Sequence, residues 1–529
     1  MASGAPQAPS GRTYAGIFTL ALAAGLLLAA LLRQPGYMDA YYYHNAAERL
    51  VSGEGLTDPY LWHYLNAPDR LPAPSHTYWM PLQSLLAAGA MALGGVTFRA
   101  AQAPSVLAYA GLVTLAFWLG GRLGGTRRTA WISALLVLFS GFFTPFWATT
   151  DTFAVYGLAG ASSLATLGLG RERRRASWFL GAGALAGVAH LARADGLLLL
   201  GVALALALWP DVRSTSRARL THALAALAGY MVIMTPWFAR NLSVIGTPLP
   251  VGGTATIWLR GYNELVSYPP AASARTFLDW GLSRIAASRW EALQANLGTF
   301  VAVETWVILG PFALLGLWRL RREPLAQSAA LYALGLHLVM TFIFAYPGYR
   351  GGLFHSSSAL LPAWAASGIV GLDRVIAWAS LRRGWRIRQA QAVFGGALVL
   401  LAAALSLYAL AARVPSLNDN ATVYQVIAAD LPSRARGVVN DPPALYYHTG
   451  LSGVVLPDSP PERVLDLAER YDLRFLVLDP DRTAPFDALY RGEASYPFLR
   501  LERVYERGTP RTDDDVQVYA IVRPGSEQP

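Results

Sequence analysis

Two aspartates in this sequence stand where a carboxylate is costly unless it is used. Asp39 follows the first long apolar run by a few residues, in Gly36-Tyr37-Met38-Asp39-Ala40-Tyr41-Tyr42-Tyr43-His44, at the head of a tyrosine-rich amphipathic helix. Asp151 lies in Ala148-Thr149-Thr150-Asp151-Thr152, between two apolar runs with almost no loop. Either could cap a helix, because an aspartate side chain accepts from the first free amides. Either could equally act on a substrate, Asp39 as a general base at a cavity mouth. For Asp151 membrane depth favours function, since a buried charge there costs roughly 3 kcal/mol on insertion scales and marks sites or pathways.

The cations that could join them are all arginine, because the chain has no lysine among its 43 basic residues. Arg193 and Asp195 share the turn His190-Leu191-Ala192-Arg193-Ala194-Asp195-Gly196, where they form an internal ion pair or Arg193 meets an anion. Arg240 follows Pro236-Trp237, and Arg350 follows Tyr349 and precedes His355. A guanidinium presents a planar fork that suits phosphate, so together these residues suggest a phosphate-binding rim. Tyr42, with Tyr41, Trp62, Trp258 and Tyr262, could stack on a sugar or form an interfacial aromatic belt. His63, His76 and His355 show no metal-ligand spacing. With no cysteine, disulfides, zinc-thiolate sites and cysteine nucleophiles are excluded, and the absent lysine excludes Schiff bases.

The elements that must position these groups are membrane helices. The 529-residue chain is 54% hydrophobic and 14% charged, with a mean hydropathy of +0.34, where a soluble protein carries about 25% charged residues. Its net charge of +10 is spread in short arginine clusters between apolar runs, which suits loops facing anionic lipid and not nucleic acid. Apolar runs long enough to cross occur near 14–33, 80–97, 101–120, 130–148, 152–169, 177–192, 194–209, 221–239, 301–319, 326–345, 358–378 and 390–411. If all cross, the clusters at Arg122/Arg127/Arg128, Arg171–Arg175, Arg213/Arg217/Arg219, Arg319/Arg321/Arg322 and Arg382–Arg388 fall outside, against the positive-inside rule. If 80–97 is a juxtamembrane or re-entrant helix, all five become cytoplasmic. The sequence therefore predicts a mostly α polytopic protein of the cell membrane, with about eleven spanning helices plus a juxtamembrane helix. Its N-terminus lies inside, and Asp39 and Asp151 lie together outside.

From about Arg413 the composition changes. A small extracytoplasmic α/β domain over 413–529 is predicted after a transmembrane domain over 1–412. It has helices over 421–431 and 461–471 and strands near 436–440, 473–479, 500–506 and 516–522.

The motifs resemble the GT-C class of integral-membrane glycosyltransferases, in the branch of protein O-mannosyltransferases and the aminoarabinose transferase of lipid A. The resemblance rests on Asp39-x-x-Tyr42 with Ala46-Ala47 and Gly53, and on Tyr78-Trp79-Met80-Pro81-Leu82, where Met80 replaces a family proline. It extends to Asp151, Ala192-Arg193-Ala194-Asp195-Gly196, Pro236-Trp237-x-x-Arg240-Asn241 and the closing Val518-Tyr519-Ala520-Ile521-Val522. It implies an inverting transfer of sugar from a polyprenyl-phosphate donor to a hydroxyl of a lipid, glycan or protein at the outer membrane face. Asp39 would be the base and Asp151 the second carboxylate. Arg193, Asp195, Arg240, Arg350, His355 and Tyr42 would surround donor and phosphate. Many relatives carry a second acid after the first-loop aspartate; here it is Ala40, which argues against a divalent metal, and no cofactor is expected. The competing classes are a glycolipid transporter or flippase, which should show inverted repeats, and a surface-polysaccharide polymerase or ligase relying on Arg and His. Reporter fusions test the topology: those after Asp39 and Asp151 should read as extracytoplasmic, and one after Arg128 as cytoplasmic. The opposite pattern overturns it.

Overall fold

The computed structural model describes residues 9–210, 214–419, 424, 427, 431–432, 434–505 and 515–523. Among them, seven helices are long and apolar enough to cross a membrane: Gly11–Leu31, Phe98–Gly124, Phe153–Arg173, Ser216–Ile245, Pro324–Ile343, Ala345–Arg383 and Ile387–Asp419. Shorter apolar helices occupy Leu82–Gly94, Ala176–Ala192 and Ala194–Leu208. The run predicted at 130–148 folds as Arg127–Leu138 followed by a tight turn of helix over Gly141–Phe146. Likewise, the run at 301–319 is broken, into Phe300–Glu304 and Gly310–Arg319. Each predicted apolar run is thus helical, and the chain is a membrane protein. Helix Leu82–Gly94 has 13 residues, about 20 Å at 1.5 Å per residue, against a hydrocarbon thickness of about 30 Å.

Local chemistry sets the helix starts. Thr97, Thr126 and Thr215 each accept from the amide three residues on, at 3.2, 3.0 and 3.2 Å. These caps replace backbone partners that a helix start lacks. Small residues let the helices touch. A Cβ on Gly183 would lie 1.8 Å from the Ala226 carbonyl oxygen, and one on Gly229 would lie 2.0 Å from that of Leu180. Backbone thus meets backbone where Ala176–Ala192 crosses Ser216–Ile245, the close approach that packs helices where lipid is as apolar as leucine.

The arginine clusters meet at one end of the bundle. Arg122 pairs with Glu172 at 2.5 Å, and Arg171 donates to Gln327, whose amide donates to the Arg321 carbonyl at 2.8 Å. Arg128 pairs with Asp373 and donates to the Gln391 carbonyl at 3.1 Å. Arg213 lies outside the described residues.

At the other end sits a small sheet. Strands β1 (Thr57–Asp58) and β2 (Ala73–Pro74) pair in the first loop. Strands β3 (Gly437–Val439), β4 (Gly453–Val455), β5 (Phe475–Leu478), β6 (Leu499–Tyr505) and β7 (Val516–Ile521) form a second sheet in the order β4-β3-β5-β7-β6. The three members β4, β3 and β5 run parallel, and β7 lies antiparallel between β5 and β6. Strands near 436–440, 473–479, 500–506 and 516–522 and the helix Arg463–Tyr471 agree with the sequence reading. Strand β4 and helix Pro442–Thr449 were not anticipated. Three residues are too few to show a period, although Asp441 before Pro442-Pro443 is a helix-start signal, and it does accept from Ala444 at 3.0 Å. The helix predicted at 421–431 falls almost wholly outside the described residues. Leu61 stitches the first loop to the sheet edge, donating to Gly453 at 3.0 Å and accepting from Val455 at 2.7 Å.

Replacing Gly183 by Val should cost about 1–3 kcal/mol by forcing two backbones apart. Gly335→Ala, with nothing within 4 Å of a new Cβ, should not destabilise. Thermal unfolding of both variants in detergent checks this.

Candidate active site

The segment leading to Asp39 is fixed by the end of the last long helix. Gln34 donates to the Leu417 carbonyl at 3.0 Å, Arg33 donates its amide to Asn418 at 2.8 Å, and Asn418 donates back to Leu31 at 3.0 Å. Gly36 has φ +92°, and a Cβ there would lie 2.6 Å from the Leu417 oxygen, so the turn accepts only glycine. Helix Met38–Val51 then starts with Asp39 in its first turn. The residue at its N-cap is Tyr37, and no side chain caps it, so Asp39 is not a capping residue. The helix is not amphipathic in its setting: Ala40 through Ala47 are all buried, because the sheet and helix Pro442–Thr449 cover the face expected to meet water. Asn45 donates to the Pro443 carbonyl at 2.9 Å, Tyr41 bonds His448 at 3.0 Å, and Arg49 donates to Tyr446 at 3.2 Å.

Asp151 is 1% exposed and accepts four hydrogen bonds. Its Oδ2 takes the Tyr37 hydroxyl at 2.8 Å and His355 Nε2 at 2.8 Å. Its Oδ1 takes the Thr152 amide at 2.5 Å and the Thr152 hydroxyl at 3.2 Å. His355 is held in turn by Gly351, whose carbonyl lies 2.8 Å from Nδ1, and by Phe153, whose ring stacks on it at 3.9 Å. Gly351 has φ +132°, a conformation other residues rarely adopt, and this kink aims its carbonyl at the ring. Donor atoms of Asp39, Asp151 and His355 all lie within 4.8 Å of one another.

The remaining predicted residues divide into two groups. Arg193 forms the internal ion pair, with Nε 3.3 Å from Asp195 Oδ1, and Nε also donates to Ser356 at 3.2 Å. Ser356 donates to Asp195 in turn. The terminal nitrogens of Arg193 have no hydrogen-bond partner among the described residues. Arg350 packs over the Tyr262 ring at 4.9 Å. Asp39, Arg193, Asp195, Arg350 and His355 all line one cavity of about 240 Å3. Tyr42 and Arg240 do not line it and belong to a buried network behind. There Tyr42 donates to Asp58 at 3.0 Å and accepts from the His76 amide at 2.6 Å, while Arg240 donates to the Ser75 carbonyl at 2.7 Å. His63 also lies apart from the donor cluster, against Trp62 and Tyr78.

Tyr43, Tyr78 and Trp79 line the cavity although sequence reasoning assigned them no site role, beside Trp62 and Tyr262, which it offered as possible sugar-stacking rings. Trp79 stacks on Trp62 at 3.8 Å, and both line the cavity with Tyr43, Tyr78 and Tyr262. Tyr37 and Ser356 were also missed. Each sits within two residues of a predicted group, at Asp39 and His355, which was the only available signal.

Charge in this site is uneven. Burial and the Asp151 carboxylate push the Asp39 carboxyl well above its usual range, against the pull of His355 and Arg193. Burial also opposes ionisation of Asp151, but His355, the Thr152 amide and Arg193 hold it low. Asp39 is therefore the member of the pair that holds a proton near neutrality and can exchange it.

The donors Asp39, Asp151 and His355 could suggest a divalent metal. A carboxylate offers about four lone-pair positions, and those of Asp151 are taken by Tyr37, His355, the Thr152 amide and the Thr152 hydroxyl. Only Asp39 has open acceptor positions, and Ala40 supplies no second acid. As arranged, these residues do not fit a hard cation, which needs about six oxygen ligands.

Residues 75–238 match the family model described as dolichyl-phosphate-mannose-protein mannosyltransferase. No curated protein matches the sequence. Among solved structures, ArnT from Cupriavidus metallidurans bound to undecaprenyl phosphate has a TM-score of 0.58 at 15% identity, covering 97% of this chain and 98% of that one. The oligosaccharyltransferase AglB from Archaeoglobus fulgidus, in complex with an inhibitory peptide and a dolichol-phosphate, has a TM-score of 0.57 at 13% identity, covering 98% and 75%. The same archaeal enzyme in complex with Zn and sulfate has a TM-score of 0.58 at 13% identity, covering 96% and 73%. Residues 75–238 thus resemble the mannosyltransferase family, and the chain shares the fold of these membrane glycosyltransferases.

Proposed function

We propose that this glycosyltransferase moves a sugar from a polyprenyl-phosphate donor to an acceptor hydroxyl, with inversion, on the outer face of the membrane. The observation that carries the reading is the cavity itself, in which one proton-exchanging carboxylate, Asp39, faces two guanidinium groups and a wall of indole and phenol rings. Asp39 takes the proton of the acceptor hydroxyl as its oxygen bonds to the anomeric carbon. The bond from that carbon to the phosphate oxygen breaks, and the polyprenyl phosphate leaves with the electron pair. Arg193, whose terminal nitrogens are open, and Arg350 oppose the growing negative charge. Trp79, Tyr78 and Tyr262 offer rings to the sugar. Their apolar faces suit the C–H face of a pyranose or pentose.

Inversion is favoured because a double displacement needs a second carboxylate as nucleophile, and all four acceptor positions of Asp151 are taken. A polyprenyl-phosphate donor is supported by the dolichol-phosphate and undecaprenyl phosphate bound in structures of the same fold. The acceptor is a hydroxyl of a lipid, a glycan or a protein.

Eleven crossings, with 80–97 short of crossing, are supported by the meeting of Asp39 and Asp151. Groups that share a site need an even number of crossings between them, and counting the 13-residue helix Leu82–Gly94 would make that number odd. In this reading residues 1–412 form the membrane transferase. Residues 413–529 form an extracytoplasmic domain that bears on the Asp39 helix.

Transfer from a polyprenyl-phosphate sugar by purified protein tests the function. Asp39→Asn should lower kcat by about 10²–10⁴, the usual worth of a positioned general base; full activity in that variant overturns the assignment. Because Asp39 must be ionised to accept a proton, activity should rise with pH, and its acid limb should lie well above the ordinary carboxylate range. Asp151→Asn removes one of the charges that raise Asp39, so in that variant the limb should move to lower pH.

A further inference from the structure

His355 carries a constraint that the proposed reaction does not use. Both of its ring nitrogens face acceptors: Nδ1 faces the Gly351 carbonyl and Nε2 faces the Asp151 carboxylate, each at 2.8 Å. A neutral imidazole has one N–H and can satisfy only one of them. Asp151 Oδ2 also receives the Tyr37 hydroxyl at 2.8 Å, and its other oxygen receives two donors, so the carboxyl has no place to hold a proton of its own. The arrangement is complete only if both ring nitrogens are protonated. The Phe153 ring lies against the imidazole at 3.9 Å and 21°, and an aromatic face attracts a cation.

The charges around His355 point the same way. From the helix of Asp39, from the turn of Asp151 and from the turn at 194–196, three carboxylates meet here: Asp39, Asp151 and Asp195. The cations facing them are Arg193, paired to Asp195, and Arg350 at the edge on Tyr262. Tyr37 and Tyr43 add no charge near neutrality. Arg193 acts on both aspartates from its pairing with Asp195, so of these cations only His355 bonds a member of the Asp39–Asp151 pair directly.

We propose that His355 is an imidazolium serving as the resident cation of the Asp39–Asp151 pair, filling the place that a divalent metal would take in a site of this donor composition. It is a positioning residue, acting on the reaction through the two aspartates. Its positive charge keeps Asp151 ionised and eases the loss of the proton from Asp39. Without that charge the pair is left uncompensated, and Asp39 grips its proton more tightly. Transfer should therefore need no metal.

The inference rests on Asp39 being the base of the proposed transfer, but one arm of the test does not need transfer at all. Solid-state 15N spectra of histidine-labelled protein in lipid, with only eight histidines to separate, should show at neutral pH a doubly protonated ring that persists in His337→Gln, the other histidine whose two ring nitrogens both face acceptors. That signal should vanish in His355→Gln. A neutral His355 overturns the proposal whatever the donor turns out to be.

In transfer assays, wild-type activity should be unchanged by a chelator. His355→Gln should keep KM, lower kcat at neutral pH and move the acid limb upward by roughly 1 to 3 pH units, the effect of removing an opposite charge at this range. In His355→Ala, added imidazole or Mn2+ should restore part of the activity. Inhibition of the wild type by a chelator, or an unmoved acid limb in His355→Gln, overturns the proposal. If wild type transfers no sugar while the spectra show the imidazolium, the donor reading fails and the charge assignment stands.

Discussion

Asp151 accepts four hydrogen bonds in a buried turn, and the geometry of the rest of the site follows from how those donors are supplied. Tyr37 comes from the turn after the first long helix, Thr152 from the start of the helix Phe153–Arg173, and His355 from the kinked segment near residue 350. One carboxylate thus ties together parts of the chain more than 200 positions apart. A buried, fully ionised group is stable only when its donors are complete, since each lost partner leaves a charge in a medium that cannot solvate it. That requirement fixes the depth of Tyr37, and with it the position of Asp39 two residues on.

The two aspartates then have opposite properties for a single physical reason. Both are buried, which disfavours charge in each. Asp151 is compensated by hydrogen bonds, whereas Asp39 is opened to the cavity and repelled by its neighbour. One holds its charge, and the other can trade a proton near neutrality. Two identical side chains are given separate tasks by their surroundings, a recurrent arrangement in sites that move protons.

A second layer of support comes from the C-terminal sheet. Helix Pro442–Thr449 covers the Asp39 helix through Asn45, Tyr41 and Arg49, and Leu61 of the first loop extends the edge of β4. The first loop therefore sits between membrane bundle and sheet, paired on both sides. Behind it, Tyr42 joins Asp58 to the His76 amide and Arg240 holds the Ser75 carbonyl, apart from the groups that line the cavity in front.

The residues alone determined a good deal. Periodic apolar length gave the helices, because a span needs about twenty apolar residues and nothing else in a chain looks like that. Arginine clustering suggested a common end for the loops, and members of three clusters do bond neighbouring segments there. Asp39, Asp151, Arg193, Asp195, Arg350 and His355 were all singled out by type and position, and they gather in one place. Pairing was decided only by tertiary structure. Nothing local in the sequence says that His355 bonds Asp151, that Ser356 joins Arg193 to Asp195, or that Trp79 stacks on Trp62, because each contact spans elements whose order in space is set by helix packing. The same limit explains Tyr42 and Arg240. Their types suit a substrate, but Tyr42, on the first-loop helix, is turned inward to Asp58, and Arg240, on the helix Ser216–Ile245, is turned to the Ser75 carbonyl. The gathering of these ionisable groups was legible in the sequence; which of them is saturated and which is free to react was written only in the fold.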